Sequence, residues 1–176
     1  TTVGGMDITE RKFGAMVADG VKDNCLEHHD CGSNTADIAG HFGIFADYTT
    51  ISTACSSAAN AIILGAEMLK AGDADIVVAG GAEALTRFHL NGFNSLMILD
   101  HDVCRPFDRD RAGLNLGEGA AYVVMECEDA AAKRGATPQA YLTGYGNACD
   151  AFHQTASSPD GIGAQMAMRQ ALDMAG

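Results

Sequence analysis

A mixed or parallel α/β sheet covered by helices is the fold class this sequence predicts, and three observations predict it. A β-branched segment, Tyr48 to Thr53, runs into an Ala-rich helical segment, Ser56 to Lys70, and then into a short apolar run, Ala74 to Ala79. Further strand-like and helix-like segments alternate beyond that point. Glycine is plentiful at 21 residues, proline scarce at 3 and tryptophan absent, a balance that suits tight strand-to-helix turns and argues against disorder.

Taken in order, Phe13, Met16, Val17 and Val21 recur at near-helical spacing within residues 8–24, which predicts a helical or lid-like segment. Ser33 to Gly43 offers a capping residue, a short helical pattern and a terminating glycine, and predicts a short helix. Thr49, Thr50, Ile51 and Thr53 make Tyr48 to Thr53 a predicted strand. Ser56 to Lys70 predicts a helix ended by Gly72, and its apolar residues run nearly all the way round, so burial is expected. Ala74 to Ala79 predicts a strand covered on both faces and ended by Gly80-Gly81.

Glu83 to Leu99 is mixed and Asp100 to Arg111 is a polar loop. Ala120 to Glu126 predicts a strand, Asp129 to Arg134 a short helix stopped by Gly135, and Ala140 to Gly146 another strand. A helix from Gly161 to Ala175 closes the pattern, with Gln165, Arg169 and Asp173 as its solvent stripe. No repeat, low-complexity tract or linker interrupts this order, so the 176 residues are expected to form one domain or part of a larger one. The opening at Thr1 on a Val3-Gly4-Gly5-Met6 turn reads as though cut from something longer.

Charge and composition exclude several function classes. With 11 basic against 23 acidic residues the net charge is −12, and no strip of Lys and Arg is placed to neutralise phosphates, so nucleic acid is not an expected partner. The one dense basic cluster, Arg105 to Arg111, is interrupted by Asp108 and Asp110 and reads first as an ion-paired loop, second as an anionic docking spot. No apolar run approaches the ~20 residues that span a bilayer, and no basic flank precedes an apolar signal core, so no membrane role and a cytoplasmic location are expected. The six cysteines lack a CxxC pair and suit reduced thiols.

One of those thiols stands where chemistry is possible. Ile51-Ser52-Thr53-Ala54-Cys55-Ser56-Ser57-Ala58-Ala59-Asn60 puts Cys55 between the predicted strand and the long helix, where unpaired helical N–H groups point. Partial positive charge there favours thiolate over thiol, small neighbours leave room for a substrate, and the same N–H groups suit an oxyanion. The local pattern is equally compatible with a small buried hydrophobe.

The surrounding motifs weigh in favour of catalysis. Thr53-Ala54-Cys55-Ser56-Ser57 is followed in order by Gly72 to Glu83, Gly92-Phe93, Arg105-Pro106-Phe107-Asp108-Arg109-Asp110-Arg111-Ala112-Gly113, Gly117-Glu118-Gly119-Ala120, Lys133 to Ala136 and Asp150 to Thr155. This series closely resembles the beta-ketoacyl-acyl-carrier-protein synthases, the elongating condensing enzymes of fatty acid and polyketide synthesis. The resemblance implies a partial thiolase-like α/β fold: residues 1–176 as the nucleophile-bearing N-terminal half, without the family's first strand or its C-terminal half. It implies that Cys55 takes an acyl chain from a carrier-protein thioester and that a malonyl unit then decarboxylates and attacks the acyl-cysteine. The two histidines and the Gly-Phe-Gly loop that serve this step in the family have no counterpart here, so this chain by itself is expected not to complete the condensation. The implied partners are acyl carrier protein, a second copy in a homodimer formed near Tyr48 to Thr53, and the remainder of the polypeptide. No metal and no organic cofactor is implied. The resemblance further places Phe93 at the acyl pocket, and His153 and Thr155 at the tunnel entrance.

Rival readings are a non-catalytic partner subunit of the chain-length-factor kind, against which the retained Cys55 counts, and a thiol hydrolase, for which His153 is the sole candidate base. Gly80-Gly81 and Gly117-Glu118-Gly119 fit no nucleotide-binding loop, and backbone crowding explains them better. Glu118 reads as a turn anchor accepting backbone N–H bonds. Cys25, His28, His29 and Cys31 have ligand chemistry, but so compact a run suits tetrahedral zinc poorly.

Overall fold

A computed structural model describes residues 5–20, 22–45, 47–153 and 156–176. The described elements are α1 (Met6–Asp19), a 3-10 turn (Asn24–His28), α2 (Ser33–His41), a second 3-10 turn (Ala54–Ser56), α3 (Ser57–Ala71), β1 (Ile76–Glu83), α4 (Arg87–Ser95), β2 (Gly119–Glu126), α5 (Glu128–Lys133) and α6 (Ile162–Ala175). β1 and β2 pair in a two-stranded sheet. The chain divides into two units, Thr1–Ile62 with Val78–Val123 and Ile63–Val77 with Val124–Gly176, the division falling within α3, β1 and β2. Val3, Gly4, Val21, Gln154 and Thr155, which entered the sequence expectations, lie outside the described residues.

Helix ends follow the glycines. Beyond α3, Gly72 adopts φ 76°, its N–H donates to the Leu69 carbonyl and the next N–H, of Asp73, donates to Met68 at 2.9 Å. This pair of bonds satisfies carbonyls the helix leaves orphaned, and a left-handed residue without Cβ makes it cheap. Gly43 after α2 and Gly135 after α5 end their helices with the same two bonds.

In the first unit, the helix expected within residues 8–24 covers Met6–Asp19 and ends at Gly20; Phe13 and Val17 stay exposed, while Met16 meets Cys25, whose thiol is 3.1 Å from the Met16 sulfur. One residue of α1 organises a distant helix. Glu10 Oε2 accepts the Arg87 N–H at 2.9 Å and Oε1 accepts the Phe88 N–H at 2.7 Å, while the buried Thr86 hydroxyl accepts the His89 N–H at 3.1 Å. The first three orphan donors of α4 are thus filled, two by a carboxylate whose charge complements the helix start. Glu10→Ala should lower the thermal unfolding midpoint, at a cost of about 1–2 kcal/mol, with Glu10→Gln losing less because it keeps an acceptor oxygen. Equal midpoints for Glu10→Ala and wild type would discount the cap.

Two expectations about this unit are corrected. Residues 48–53 form no strand among the described residues: a strand exists through its ladder, and no described neighbour pairs with this segment, whose Thr50 hydroxyl instead meets Thr35 Oγ1 at 2.6 Å. Gly80 and Gly81 do not end β1, which continues to Glu83. They permit close approach instead. A Cβ on Gly80 would strike the Ala121 carbonyl oxygen and lie 2.7 Å from the Tyr122 Cα, and one on Gly81 would lie 3.0 Å from the Ala58 Cβ. β1 therefore presses against β2 at one glycine and against the first turn of α3 at the next.

Burial of α3 and β1 is partial. Ala66, Leu69 and Ala79 are buried, whereas Ala58, Ala59, Ile76 and Val78 are exposed. The helix expected to be buried all round and the strand expected to be covered on both faces are thus each covered on one side.

In the second unit, residues 140–146 form no strand among the described residues, and the reason is again glycine. A Cβ on Gly144 would strike the Ala171 carbonyl and one on Gly146 the Ala167 carbonyl. The period of two in the segment matches the period of four in α6, so a strand-like sequence is laid along a helix rather than into a ladder. Asn147 N–H donates to Gln170 Oε1 at 3.0 Å to complete the contact. α6 is covered only along its small residues Gly163, Ala167 and Ala171; the stripe Gln165, Arg169 and Asp173 is exposed as expected, and so are Met168 and Leu172. Arg134 grips Glu126 with Nε at 3.0 Å from both carboxylate oxygens, which holds the Glu126 carboxyl below its usual range.

Candidate functional site

The turn that carries Cys55 is built from three consecutive backbone states. Thr53 is neither extended nor helical (φ −128°, ψ 42°), Ala54 reverses into the left-handed region (φ 53°), and residues 54–56 form one 3-10 turn that opens into α3 at Ser57. A non-glycine residue at positive φ is strained by order 1 kcal/mol or more and persists only where its surroundings over-determine it.

The surroundings do so through hydroxyls. Ser57 is 5% exposed, its Oγ accepts the Thr53 N–H at 2.9 Å, and its O–H donates to the Ala54 carbonyl at 2.7 Å. Ser56 O–H donates to the Thr53 carbonyl at 2.8 Å and lies 3.0 Å from Thr53 Oγ1, to which the Asn60 amide donates at 2.8 Å. Every group in this set comes from residues 53–60, so the turn is locked locally.

Cys55 itself is a free, exposed thiol at the start of a 15-residue helix. The first amide of the turn tied to a carbonyl is that of Ser56, bonded to Thr53 at 3.3 Å, which leaves the Cys55 N–H ahead of the hydrogen-bonded ladder. Gly81 and Ala58 bring β1 directly against the helix turn that follows. An exposed thiol, an amide at a positive helix end and small neighbours are components that acyl transfer from a thioester can use.

Two other candidates fall among the described residues. Phe93 lies in the same unit on α4, half-buried, its ring 6.5 Å from that of His89 one turn earlier. His153 belongs to the second unit, where its exposed ring accepts the Ala156 N–H on Nδ1 at 3.2 Å. That bond requires an unprotonated Nδ1 and fits a loop-ordering role. Thr155 lies outside the described residues.

Asp150, quoted within a motif but given no role by the sequence, organises the loop around His153. Its Oδ1 accepts the Phe152 N–H and its Oδ2 the Ser158 N–H, each at 3.0 Å. These bonds, that from Ser158 first, hold its carboxyl below the ordinary range. The depressed value means the loop is supported while Asp150 is ionised; the support is complete above the unfolded carboxyl pKa of about 3.9 and fades as pH falls through the lower folded value. Hydrogen exchange at the Phe152 and Ser158 amides should stay protected down to about pH 4 and lose protection below it, and Asp150→Asn should remove that pH dependence.

Asn115 is a second organiser the sequence did not reveal, its Oδ1 accepting the Cys104 N–H at 2.7 Å and its amide donating to the carbonyls of Asp100 and Asp102. The neighbouring loop is tied mainly to its own backbone: Arg105 and Arg111 donate to the carbonyls of Asp110 and Asp108, each at 2.8 Å, and Arg109 Nε lies 3.6 Å from the Asp110 carboxylate. Glu118 accepts the Leu85 N–H at 3.1 Å, anchoring the segment after β1 rather than its own turn. His28 faces Asp37 and His29 faces Thr9, and among the described residues no three His, Cys, Asp or Glu side chains converge as a metal would require. No helix of the described residues is long and apolar enough to cross a membrane.

Residues 20–131 match the family model described as beta-ketoacyl synthase, N-terminal domain. The sequence is 43% identical over 135 residues to the 3-oxoacyl-[acyl-carrier-protein] synthase 2 of Rhizobium meliloti, covering 72% of this chain and 32% of that protein. It is 39% identical over 130 residues to the Staphylococcus aureus protein of the same name, covering 70% and 32%. The chain thus spans 32% of the length of either relative. Among solved structures it is similar to the ishigamide ketosynthase/chain length factor (TM-score 0.89, 34% identity, 99% of this chain and 44% of that one). A ketosynthase in complex with its chain length factor from Xenorhabdus doucetiae gives TM-score 0.85 at 32% identity over 100% of this chain and 43% of that one. A third, a type II polyketide synthase acyl-carrier protein in complex with its ketosynthase bound to the hexaketide, gives TM-score 0.83 at 28% identity over 97% of this chain and 45% of that one.

Proposed function

This chain belongs to the beta-ketoacyl synthase family, as part of a thiolase-like fold, and from that premise we propose that Cys55 is its acyl-accepting nucleophile. The observation that carries the reading is the exposed thiol of Cys55 held at a strained, hydroxyl-locked turn at the head of α3. The Cys55 thiolate attacks the carbonyl carbon of an acyl thioester on the carrier protein, a new C–S bond forms, and the oxyanion sits toward the Cys55 N–H. Collapse breaks the bond to the pantetheine sulfur, which leaves as a thiolate and takes up a proton.

For the whole protein the reading extends to condensation. A malonyl unit on the carrier loses CO2, its carbanion attacks the acyl-Cys55 carbonyl, the C–C bond forms and the Cys55–acyl bond breaks. Histidines outside this chain serve that step, and the substrates belong to fatty acid or polyketide synthesis. Residues 1–176 then stand as the N-terminal half of the condensing core, lacking the family's first strand, in a cytoplasmic enzyme that works as a homodimer. Phe93 lines the acyl pocket, and His153 and Thr155 border the entrance used by the carrier arm. The presence of Cys55 favours this reading over that of a non-catalytic chain-length-factor subunit.

The test is intact mass after exposure to an acyl carrier protein loaded with an acyl group. One acyl equivalent on the wild-type chain and none on Cys55→Ser supports the reading; equal labelling of both removes it.

A further inference from the structure

The hydroxyl of Ser57 spans the one strained peptide beside the proposed nucleophile. It takes the N–H of Thr53, before Ala54, and gives its proton to the carbonyl of Ala54, after the reversal. Both bonds are shielded, since Ser57 is 5% exposed. Ala54 at φ 53° is thereby closed into a ring whose fourth side is a side chain, and the peptide leaving that ring is the one that carries the Cys55 N–H. Ser56 and Asn60 brace Thr53 from the exposed side through a separate set of bonds.

We propose that Ser57 is a positioning residue that holds Ala54 in the left-handed conformation, and so fixes the direction of the Cys55 amide and thiol for acyl transfer. The acyl-transfer part rests on the function proposed above; the clamp rests on geometry alone. Without the hydroxyl, the Thr53 N–H loses its acceptor and the Ala54 carbonyl loses a donor, while an alanine at positive φ keeps its steric penalty. Ala54 then relaxes toward an ordinary conformation and Cys55 turns with it. A glycine at position 54 carries no such penalty, so it should hold the turn without the clamp.

The experiment uses the full chain and iodoacetamide, following alkylation of each cysteine by peptide mass as a function of pH, with transfer from an acyl-pantetheine thioester run in parallel. Cys149, an exposed thiol of the second unit, serves as internal reference and the buried Cys25 reports folding. Ser57→Ala should slow Cys55 alkylation by about tenfold or more relative to Cys149, since small misplacements of a reacting group are amplified in rate. Ala54→Gly in the Ser57→Ala background should restore most of the loss, which a generally destabilised chain would not show at Cys55 alone. An unchanged Cys55 rate in Ser57→Ala, a parallel change at Cys149, or a loss that Ala54→Gly leaves in place would each overturn the clamp. If the wild-type chain is alkylated in this pattern yet accepts no acyl group, the clamp stands and the acyl-transfer reading fails.

Discussion

Cys55→Ser should reduce acylation from a carrier-protein thioester by about a thousandfold or more, to background, while changing folding stability by no more than ~0.5 kcal/mol. The two halves of this expectation have separate causes. Serine keeps the shape of the side chain, and position 55 is exposed, so little packing is at stake. A hydroxyl is not ionised near neutral pH, however, and is a far weaker nucleophile than a cysteine sulfur.

The measurement must separate this thiol from its neighbours. Cys127 and Cys149 are also exposed, so non-specific thioester exchange would label all three. Cys127 additionally donates its thiol to the Leu69 carbonyl at 3.7 Å. Peptide mapping should therefore find the acyl group on Cys55 within the first equivalent. Labelling spread evenly over the three exposed cysteines would show that turn geometry contributes nothing.

The parts of the fold legible in the sequence were those governed by local signals. α2, α3 and α5 fall where a helical pattern and a following glycine put them, and α6 where its polar stripe puts it, because helix hydrogen bonds are satisfied within one segment. Strands depend on neighbours, and here the sequence misled: residues 48–53 and 140–146 have the alternation or branching of strands but find no ladder among the described residues. The glycines were ambiguous for the same reason. Gly72 ends a helix and Gly80 does not end a strand, and only the position of Ala121 tells one case from the other.

The site divides likewise. Cys55 at the head of a helix was readable, whereas the left-handed Ala54 and the Ser57 bridge were not, since a serine next to a serine has no sequence mark of its partner. Glu10 and Asn115 were invisible because their bonds reach 77 and 11 residues along the chain. Asp150 carried a signal that passed unread: Asp two residues before an amide it accepts is a turn-forming arrangement.

Gly80→Ala should be among the most destabilising single substitutions in the chain, and its sign should be opposite to that of Gly14→Ala. At position 80 a methyl group would meet the Ala121 carbonyl oxygen, the Tyr122 Cα at 2.7 Å and the Tyr122 ring at 2.9 Å. Two of these are backbone atoms, which cannot rotate away, so β1 and β2 must separate locally or lose their register. Overpacking of this kind costs about 1–3 kcal/mol, and more where backbone must move, against a typical total stability of roughly 5–15 kcal/mol. Gly14 lies inside α1 with nothing within 4 Å of a built Cβ, so alanine there should raise stability by about 0.5–1 kcal/mol through helix propensity. Urea unfolding of the two variants beside wild type reads both effects on one scale. Because Gly81 sits against Ala58 in the first turn of α3, loss of the strand contact should also reach the Cys55 turn, and Gly80→Ala should slow Cys55 alkylation where Gly14→Ala does not. A Gly80→Ala chain as stable as wild type would mean that β1 and β2 do not approach as closely as their backbones indicate.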